Sequence, residues 1–271
     1  MAIITRRPIT SSLRGQQFLS HKDLTKKRPE KSLLAPLSKT GGRNAYGRIT
    51  TRHIGGGAKR RYRIVDFNWE SREIPGKVVA FEYDPNRNVS IALVVYKNGS
   101  KKYILRPDGL NIGDIVFASL KAEAKTGNSL PLRNIPVGFF IHNVELVPSK
   151  GAKLARSAGG AIQLLGKEGE LAILKMPSGE TRTVSVNCWA TVGRLSNSEY
   201  KNVTLGKAGR TRHRGIRPTV RGMAMNPVDH PHGGGEGRSK SGSHPVTPWG
   251  KGCKGTRTRT RKSTAILKRR K

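Results

Sequence analysis

Five side chains within a short stretch near the C-terminal end could bind a metal ion or transfer protons. They are Asp229, His230, His232, Glu236 and His244. Imidazoles and carboxylates are common zinc ligands and common general acids and bases. Such chemistry needs a rigid scaffold, whereas Pro231 and the glycines around it predict an irregular turn. Because imidazoles also stack on bases and contact phosphates, we favour RNA contact over local turn structure and over a metal or catalytic site.

Two glycine-rich stretches invite comparison with nucleotide-binding loops, and neither meets the requirements of one. Residues 250–255 match G-x-G-x-x-G, but a dinucleotide site needs a strand before the motif and a helix after it, and neither is predicted here. The triplet 55–57 is flanked by four basic residues, Arg52, His53, Lys59 and Arg60. A backbone without side chains can approach a phosphate closely, so phosphate contact and a flexible hinge are the two interpretations of this triplet.

Threonine and arginine alternate over residues 256–261. If the segment is extended, Arg257, Arg259 and Arg261 project to one side, roughly 6.6–7 Å apart. That distance is close to the spacing of successive phosphates along one strand. Since arginine makes bidentate phosphate contacts, the pattern favours RNA contact over a generic basic tail.

The charge distribution separates a central body from two basic ends. The chain has 271 residues and a net charge of +35, with +12 in residues 1–60, +7 in residues 61–204 and +16 in residues 205–271. Such an excess destabilises a compact monomer unless a polyanion neutralises it, and the usual polyanion is nucleic acid. No run of about 18 apolar residues suits a membrane-spanning helix. We therefore expect a nucleic-acid partner and no membrane.

The central body is predicted to contain two all-β modules. An Asn-Gly turn at residues 98–99 joins two β-rich runs, Ile91–Tyr96 and Lys101–Leu105, into a hairpin. Similar runs recur from Tyr62 to Leu195 at the spacing expected of small barrels. Residues 121–136 are predicted to be a linker, and Ala152–Arg156 a helical turn.

The two ends are predicted to be arms that a partner orders. Glycine and proline recur every few positions in residues 206–271, so we expect neither a helix nor a strand to persist there. The only cysteines, Cys188 and Cys253, are far apart and predict neither a disulfide framework nor a metal-ligand pair.

Several blocks of the sequence are similar to the large-subunit ribosomal protein two family, in its bacterial or organellar type. They are Gly41–Asn44, Gly47–Gly57, Tyr62–Phe67, Glu82–Arg87, Tyr103–Leu105, Leu154–Gly159, Gly206–Gly209, Arg217–Gly222, Met225–Arg238 and Pro245–Gly250. The resemblance extends from about residue 40 to the C-terminus. His213 stands where the family usually has tryptophan, and residues 1–35 do not clearly match the family pattern.

The resemblance implies an all-β fold with an oligonucleotide-binding-fold barrel followed by an SH3-like barrel and long basic extended N- and C-terminal arms. We place the N-terminal arm at 1–60, the first barrel at 61–125, the second at 126–204 and the C-terminal extension at 205–271. The implied function is that of a structural constituent of the large ribosomal subunit. Such a protein binds large-subunit ribosomal RNA near the peptidyl transferase centre, supports subunit assembly and association, contacts neighbouring ribosomal proteins, and reaches small-subunit RNA at the subunit interface.

We expect sixteen residues to contact RNA. They are Arg43, Arg48, Arg52, His53, Lys59, Arg60, Arg217, Arg221, His230, His232, Arg238, Trp249, Lys251, Arg257, Arg259 and Arg261. His230 matches a family histidine once proposed to take part in peptide-bond formation. Since that chemistry is attributed to the RNA, we expect His230 to be a structural RNA contact and the chain not to be an enzyme.

We expect no intrinsic cofactor or protein-held metal, and Mg²⁺ only through the RNA. Two alternative functions are a metal-dependent RNA-processing enzyme that uses the five side chains near His230, and a transient ribosome-associated RNA chaperone. The expected location is the ribosome, in a bacterial cytoplasm, a chloroplast stroma or a mitochondrial matrix.

Overall fold

The computed structural model describes residues 3–25, 28–236, 244–256 and 263–269. This part of the chain is nearly all β with one α-helix, and the predicted fold class is confirmed. None of the described helices is long and apolar enough to cross a membrane.

The described strands are short and are numbered here in chain order. Those of the first half are β1 (Ile3–Thr5), β2 (Gln17–Leu19), β3 (Leu34–Ala35), β4 (Tyr62–Arg63), β5 (Gly76–Glu82), β6 (Ile91–Tyr96), β7 (Lys101–Leu105), β8 (Ile115–Val116) and β9 (Ser129–Pro131). Those of the second half are β10 (Phe140–His142), β11 (Val144–Glu145), β12 (Ala152–Leu154), β13 (Ile162–Glu168), β14 (Leu171–Lys175), β15 (Thr181–Ser185), β16 (Trp189–Val192) and β17 (Ile266–Lys268). The helices are α1 (Ala208–His213) and four 3-10 turns at Lys31–Leu33, Leu132–Asn134, Ser198–Asn202 and Gly222–Ala224.

The first module is built on an antiparallel sheet in the order β7-β6-β5-β8. The predicted hairpin is confirmed, because β6 and β7 have the predicted bounds and Ile91 pairs with Leu105. Gly99 has a φ of 80°, which suits glycine in the turn. Two apolar clusters pack on this sheet, one of them around the fully buried Tyr103.

The second module is a seven-stranded antiparallel sheet in the order β17-β15-β14-β13-β10-β16-β9. Alternate residues of its strands face one buried apolar cluster. The cluster includes Leu130, Leu132, Ile135, Ile141, Ile162, Leu164, Leu174, Val184 and Ala190.

Three local predictions were wrong. Residues 121–136 are not a linker, because β9 lies there and its Leu130 side chain is buried in the second module. The segment Ala152–Arg156 contains strand β12, paired with β11, rather than a helical turn. In the C-terminal end α1 forms, and β17 pairs with β15. Strand pairing overrides weak local propensity at β9, β12 and β17.

The chain divides into two compact units. Unit 1 contains residues 1–38, 59–207 and 264–271, and therefore both β modules. Within it the rings of Trp69 and Trp189 lie 6.0 Å apart, and the Trp69 indole N–H donates to the Thr191 hydroxyl at 3.4 Å. Unit 2 contains residues 39–58 and 208–263, which come from the two basic ends of the sequence.

Candidate nucleic-acid interface

Unit 2 is held together by backbone hydrogen bonds between the two ends of the chain. The Gly55 N–H donates to the Gly215 carbonyl at 2.6 Å, and the Ala58 N–H donates to the His213 carbonyl at 2.8 Å. The Arg217 N–H donates to the His53 carbonyl at 2.9 Å. One segment from each predicted arm therefore forms one edge of a short backbone ladder. The sequence did not predict that these two segments pair.

The glycine triplet at 55–57 makes this ladder possible. Gly57 has a φ of +61°, and a Cβ atom there would lie 2.8 Å from both the Gly215 nitrogen and the His213 carbonyl oxygen. No side chain fits at such distances. The triplet thus allows two backbone segments to pack closely, a role beyond the phosphate contact and the hinge considered from sequence.

Unit 2 concentrates positive charge. Its sequence holds seventeen lysines and arginines against two acids, Asp229 and Glu236. Ten of the sixteen predicted contacts belong to described parts of this unit: Arg43, Arg48, Arg52, His53, Arg217, Arg221, His230, His232, Trp249 and Lys251. All ten except His230 and His232 are exposed. An excess of this size in one small unit creates a strongly positive potential, which attracts phosphate.

An exposed aromatic ring lies within this basic unit. Trp249 is 73% exposed, and the Arg52 guanidinium lies 5.5 Å from the centroid of its ring. A tight turn presents the tryptophan, since the Thr247 N–H donates to the Lys251 carbonyl at 2.7 Å. An indole beside a guanidinium is a suitable platform for stacking an unpaired base.

The two histidines of the polar cluster are used inside the unit. His230 is only 8% exposed, and its Nδ1 accepts the His232 backbone N–H at 3.0 Å. The Nε2 of His232 accepts the Val246 N–H at 3.1 Å. Gly222 lies against the first ring so closely that a Cβ there would lie 2.5 Å from Nδ1. Each imidazole therefore fixes a loop with one ring nitrogen.

This geometry does not favour the metal-site interpretation. A ring nitrogen that accepts an N–H has its lone pair engaged and does not ligate a metal at the same time. Among the residues that the structure describes, no group of three His, Cys, Asp or Glu side chains is arranged to hold a metal ion.

The remaining predicted contacts lie elsewhere. Lys59 and Arg60 belong to unit 1, where Lys59 is exposed and the Arg60 guanidinium donates to the Pro85 carbonyl at 3.0 Å. The other four, Arg238, Arg257, Arg259 and Arg261, lie outside the described residues, as does most of the Thr-Arg alternation.

Three arginines that the sequence prediction omitted also belong to unit 2. Arg210 and Arg212 lie on α1, and Arg214 follows it directly. Arg212 and Arg214 are exposed, and Arg210 is half-buried. The signal that could have revealed them is the alternation of basic residues from 210 to 214.

Two family models match the chain. The model described as "Ribosomal Proteins L2, RNA binding N-terminal domain" matches residues 30–118. The model described as "Ribosomal Proteins L2, C-terminal domain" matches residues 125–250. Together they cover both β modules and most of unit 2.

Proposed function

The chain belongs to the ribosomal protein L2 family, and we propose that unit 2 is the part that anchors it to the RNA of the large subunit. As a member of that family it is a structural, RNA-binding protein of the large ribosomal subunit. It is located in the ribosome, among the other proteins of that subunit.

This proposal rests on the basic composition of unit 2 and on the backbone ladder that holds its two segments together. It combines an excess of fifteen positive charges with the exposed Trp249. The ladder between residues 53–58 and 213–217 holds these side chains on one scaffold. Positive charge attracts the RNA backbone whatever the RNA sequence. A fixed scaffold and a stacking ring then define the position at which the RNA binds the protein.

The proposed mechanism is neutralisation of closely spaced phosphates. Each lysine or arginine that contacts a phosphate releases condensed counterions, so the affinity falls steeply as salt rises. Arginines add bidentate contacts and stacking, which suit irregular RNA. The β modules of unit 1 supply the packed apolar cores of the chain.

The finer role that we propose follows from the resemblance of residues 217–238 to the family. We propose that this region lies near the peptidyl transferase centre, supports subunit assembly and contacts small-subunit RNA. We propose that the chain performs no catalysis of its own, that His230 acts structurally, and that Mg²⁺ is held through the RNA. The same resemblance supports a ribosome of bacterial or organellar type.

Excision of residues 208–263 tests the anchoring role. Residues 264–271 are kept and joined by a Gly-Ser linker, because β17 completes the sheet of unit 1. We expect the excised protein to fold and to bind large-subunit RNA at least a hundredfold more weakly, with a much shallower salt dependence. Unchanged affinity of a folded excised protein would contradict the proposal.

Sedimentation of the native ribosome across a salt series tests whether the chain is an integral component. We expect one copy per large subunit, retained until high salt, because many phosphate contacts must be broken together. A protein that leaves the subunit at moderate salt would instead be a transient factor.

A further inference from the structure

The turn of the β6–β7 hairpin contains the one Asn-Gly pair of the sequence. Asn98 and Gly99 are both exposed there, so water reaches them freely. An asparagine followed by glycine is chemically labile, because the backbone nitrogen of the glycine can attack the side-chain amide carbon of the asparagine. Glycine has no Cβ atom to hinder that approach. The pair is therefore a candidate site of spontaneous covalent modification.

Two hydrogen-bond donors polarise the amide that would react. The Asn98 Oδ1 atom accepts the backbone N–H of Ser100 at 3.1 Å and the hydroxyl of the same residue at 2.6 Å. When a nucleophile adds to Cγ, negative charge develops on Oδ1, and donors aimed at that oxygen stabilise the charge. These bonds span only two residues, so they form without strand pairing. The electrophile is thus activated locally, whether or not the hairpin is closed.

The closed hairpin restrains the nucleophile instead. The Gly99 N–H donates to the Tyr96 carbonyl at 2.9 Å, and the Tyr96 N–H donates to the Ser100 carbonyl at the same distance. Five residue pairs, from Ile91–Leu105 to Val95–Lys101, hold the strands on either side. To react, the Gly99 nitrogen must lose its proton and turn towards the Asn98 Cγ atom. The reaction therefore requires this end of the hairpin to open first.

We propose that Asn98 is a site of spontaneous deamidation, and that closure of the β6–β7 hairpin protects it. The Gly99 nitrogen forms a bond to Asn98 Cγ and gives up its proton, the Cγ–Nδ2 bond breaks, and the side-chain nitrogen leaves as ammonia. Water then opens the cyclic imide at one of its two carbonyls, which leaves aspartate or isoaspartate at position 98. Water is the only co-reactant. The inference is independent of the RNA-anchoring role of unit 2.

The two products differ in their effect on the first module. Aspartate keeps a side-chain acceptor for Ser100, whereas isoaspartate adds one carbon atom to the main chain of the turn. That extra atom disrupts the pairing of Tyr96 with Ser100. The returning strand β7 carries Tyr103, which is fully buried and whose hydroxyl donates to the Glu82 carboxylate at 2.6 Å. Isoaspartate at position 98 therefore accumulates in chains that stay unfolded, and it lowers the stability of the module when they fold.

The test compares the folded full-length chain with the same chain unfolded in urea, at one pH and one temperature. Peptide mass spectrometry follows the amide-to-acid mass increase at position 98, and isoaspartate methyltransferase labels the isoaspartate product. We expect the unfolded chain to react roughly tenfold faster or more, because the folded chain reacts only through its small population of open hairpin. Asn128 and Asn197 are internal controls, each followed by serine, and should lag far behind in both states.

A pair of matched variants assigns the protection to the first module. Val94→Ala weakens the buried face of β6, and Val184→Ala is its control, because Val184 is equally apolar and buried but lies on β15 of the second module. In native buffer Val94→Ala should speed deamidation at position 98 about tenfold, since the loss of buried methyl groups raises the open population. Val184→Ala should react like the wild type. Circular dichroism checks that both variants fold.

Asn98→Gln confirms the origin of the signal, because attack on the longer side chain forms a less favourable ring and the mass increase at position 98 should vanish. Equal rates in the folded and the unfolded wild type, or in the two valine variants, would show that hairpin closure does not protect Asn98. Absence of the mass increase in urea would show that Asn98 is not a deamidation site. The purified isoaspartate form should melt at a lower temperature than Asn98→Asp, and equal melting would contradict the effect on the first module.

Discussion

The Nδ1 atom of His230 accepts the backbone N–H of His232 at 3.0 Å, and the two imidazole rings lie 4.9 Å apart. His232 in turn accepts the Val246 N–H through Nε2. This relay joins the loop after Met225 to the segment that carries Trp249. The side chains that looked most chemically reactive in the sequence therefore act here as hydrogen-bond acceptors that shape a basic surface.

Loss of the His230 acceptor should loosen this loop. We expect His230→Ala to raise the hydrogen-exchange rate of the His232 amide and to weaken RNA binding about tenfold, because a half-buried N–H loses its partner. His230→Asn keeps an acceptor near the Nδ1 position and should restore most of both properties. The same comparison applies to His232→Gln, whose side-chain oxygen can replace Nε2 as the acceptor for Val246.

The outcome of these variants also tests for a direct role in RNA contact. If His230→Asn restores amide protection but not RNA affinity, the ring itself contacts RNA. If His230→Ala changes neither quantity, the hydrogen bond does not hold the loop in solution.

The exposed ring of Trp249 should make a stacking contact. Trp249→Ala should weaken RNA binding by about 1–3 kcal/mol, whereas Trp249→Phe should lose less because a stacking ring remains. Tryptophan fluorescence reports the contact directly, since Trp69 and Trp189 are buried at 8% and 7% exposure. RNA should quench the wild-type emission and leave Trp249→Phe nearly unchanged. Equal quenching of both proteins would place the contact elsewhere.

Burial of His142 predicts a loss of stability in mild acid. Burial lowers the pKa of His142 from 6.5 to about 4, while the hydrogen bond to the Gly193 carbonyl opposes that shift. The unfolded chain takes up a proton at a higher pH than the folded chain, so stability falls as the pH drops from about 6.5 towards 4. Between pH 7 and pH 5 we expect a loss of about 2 kcal/mol.

Denaturant unfolding at a series of pH values measures this effect. His142→Asn can still donate to the Gly193 carbonyl but does not titrate, so its stability should change less over the same range. A wild type and a variant with parallel pH profiles would show that other groups control acid sensitivity.

Removal of residues 264–271 should lower the stability of the second module. Strand β17 pairs with β15, and the Thr183 N–H donates to the Ala265 carbonyl at 2.8 Å. The truncated chain exposes the β15 edge, so we expect the free energy of unfolding to fall by about 1–3 kcal/mol. Lys268→Gln/Arg269→Gln is the control, because it removes charge from this segment and keeps the backbone pairing. An unchanged melting temperature in the truncated chain would show that the pairing is not stabilising.

Features that depend on neighbouring residues or on composition follow directly from the amino-acid sequence. The Asn-Gly turn at 98–99 with β-rich runs on both sides specifies the β6–β7 hairpin, because turn chemistry and strand periodicity agree. The charge distribution indicates a nucleic acid as the partner, because net charge can be counted without coordinates. The long block from Met225 to Arg238 indicated the family.

Contacts between distant segments are visible only in the folded chain. Nothing near Gly57 in the sequence reveals that it packs against Gly215, since pairing between remote segments depends on the whole fold. The prolines and the glycine near Leu130 predict a linker, yet burial in the second module makes β9 a strand. Trp69 and Trp189 lie side by side only because the two β modules meet there. Burial, register and close approach arise from long-range packing, which a single sequence does not encode locally.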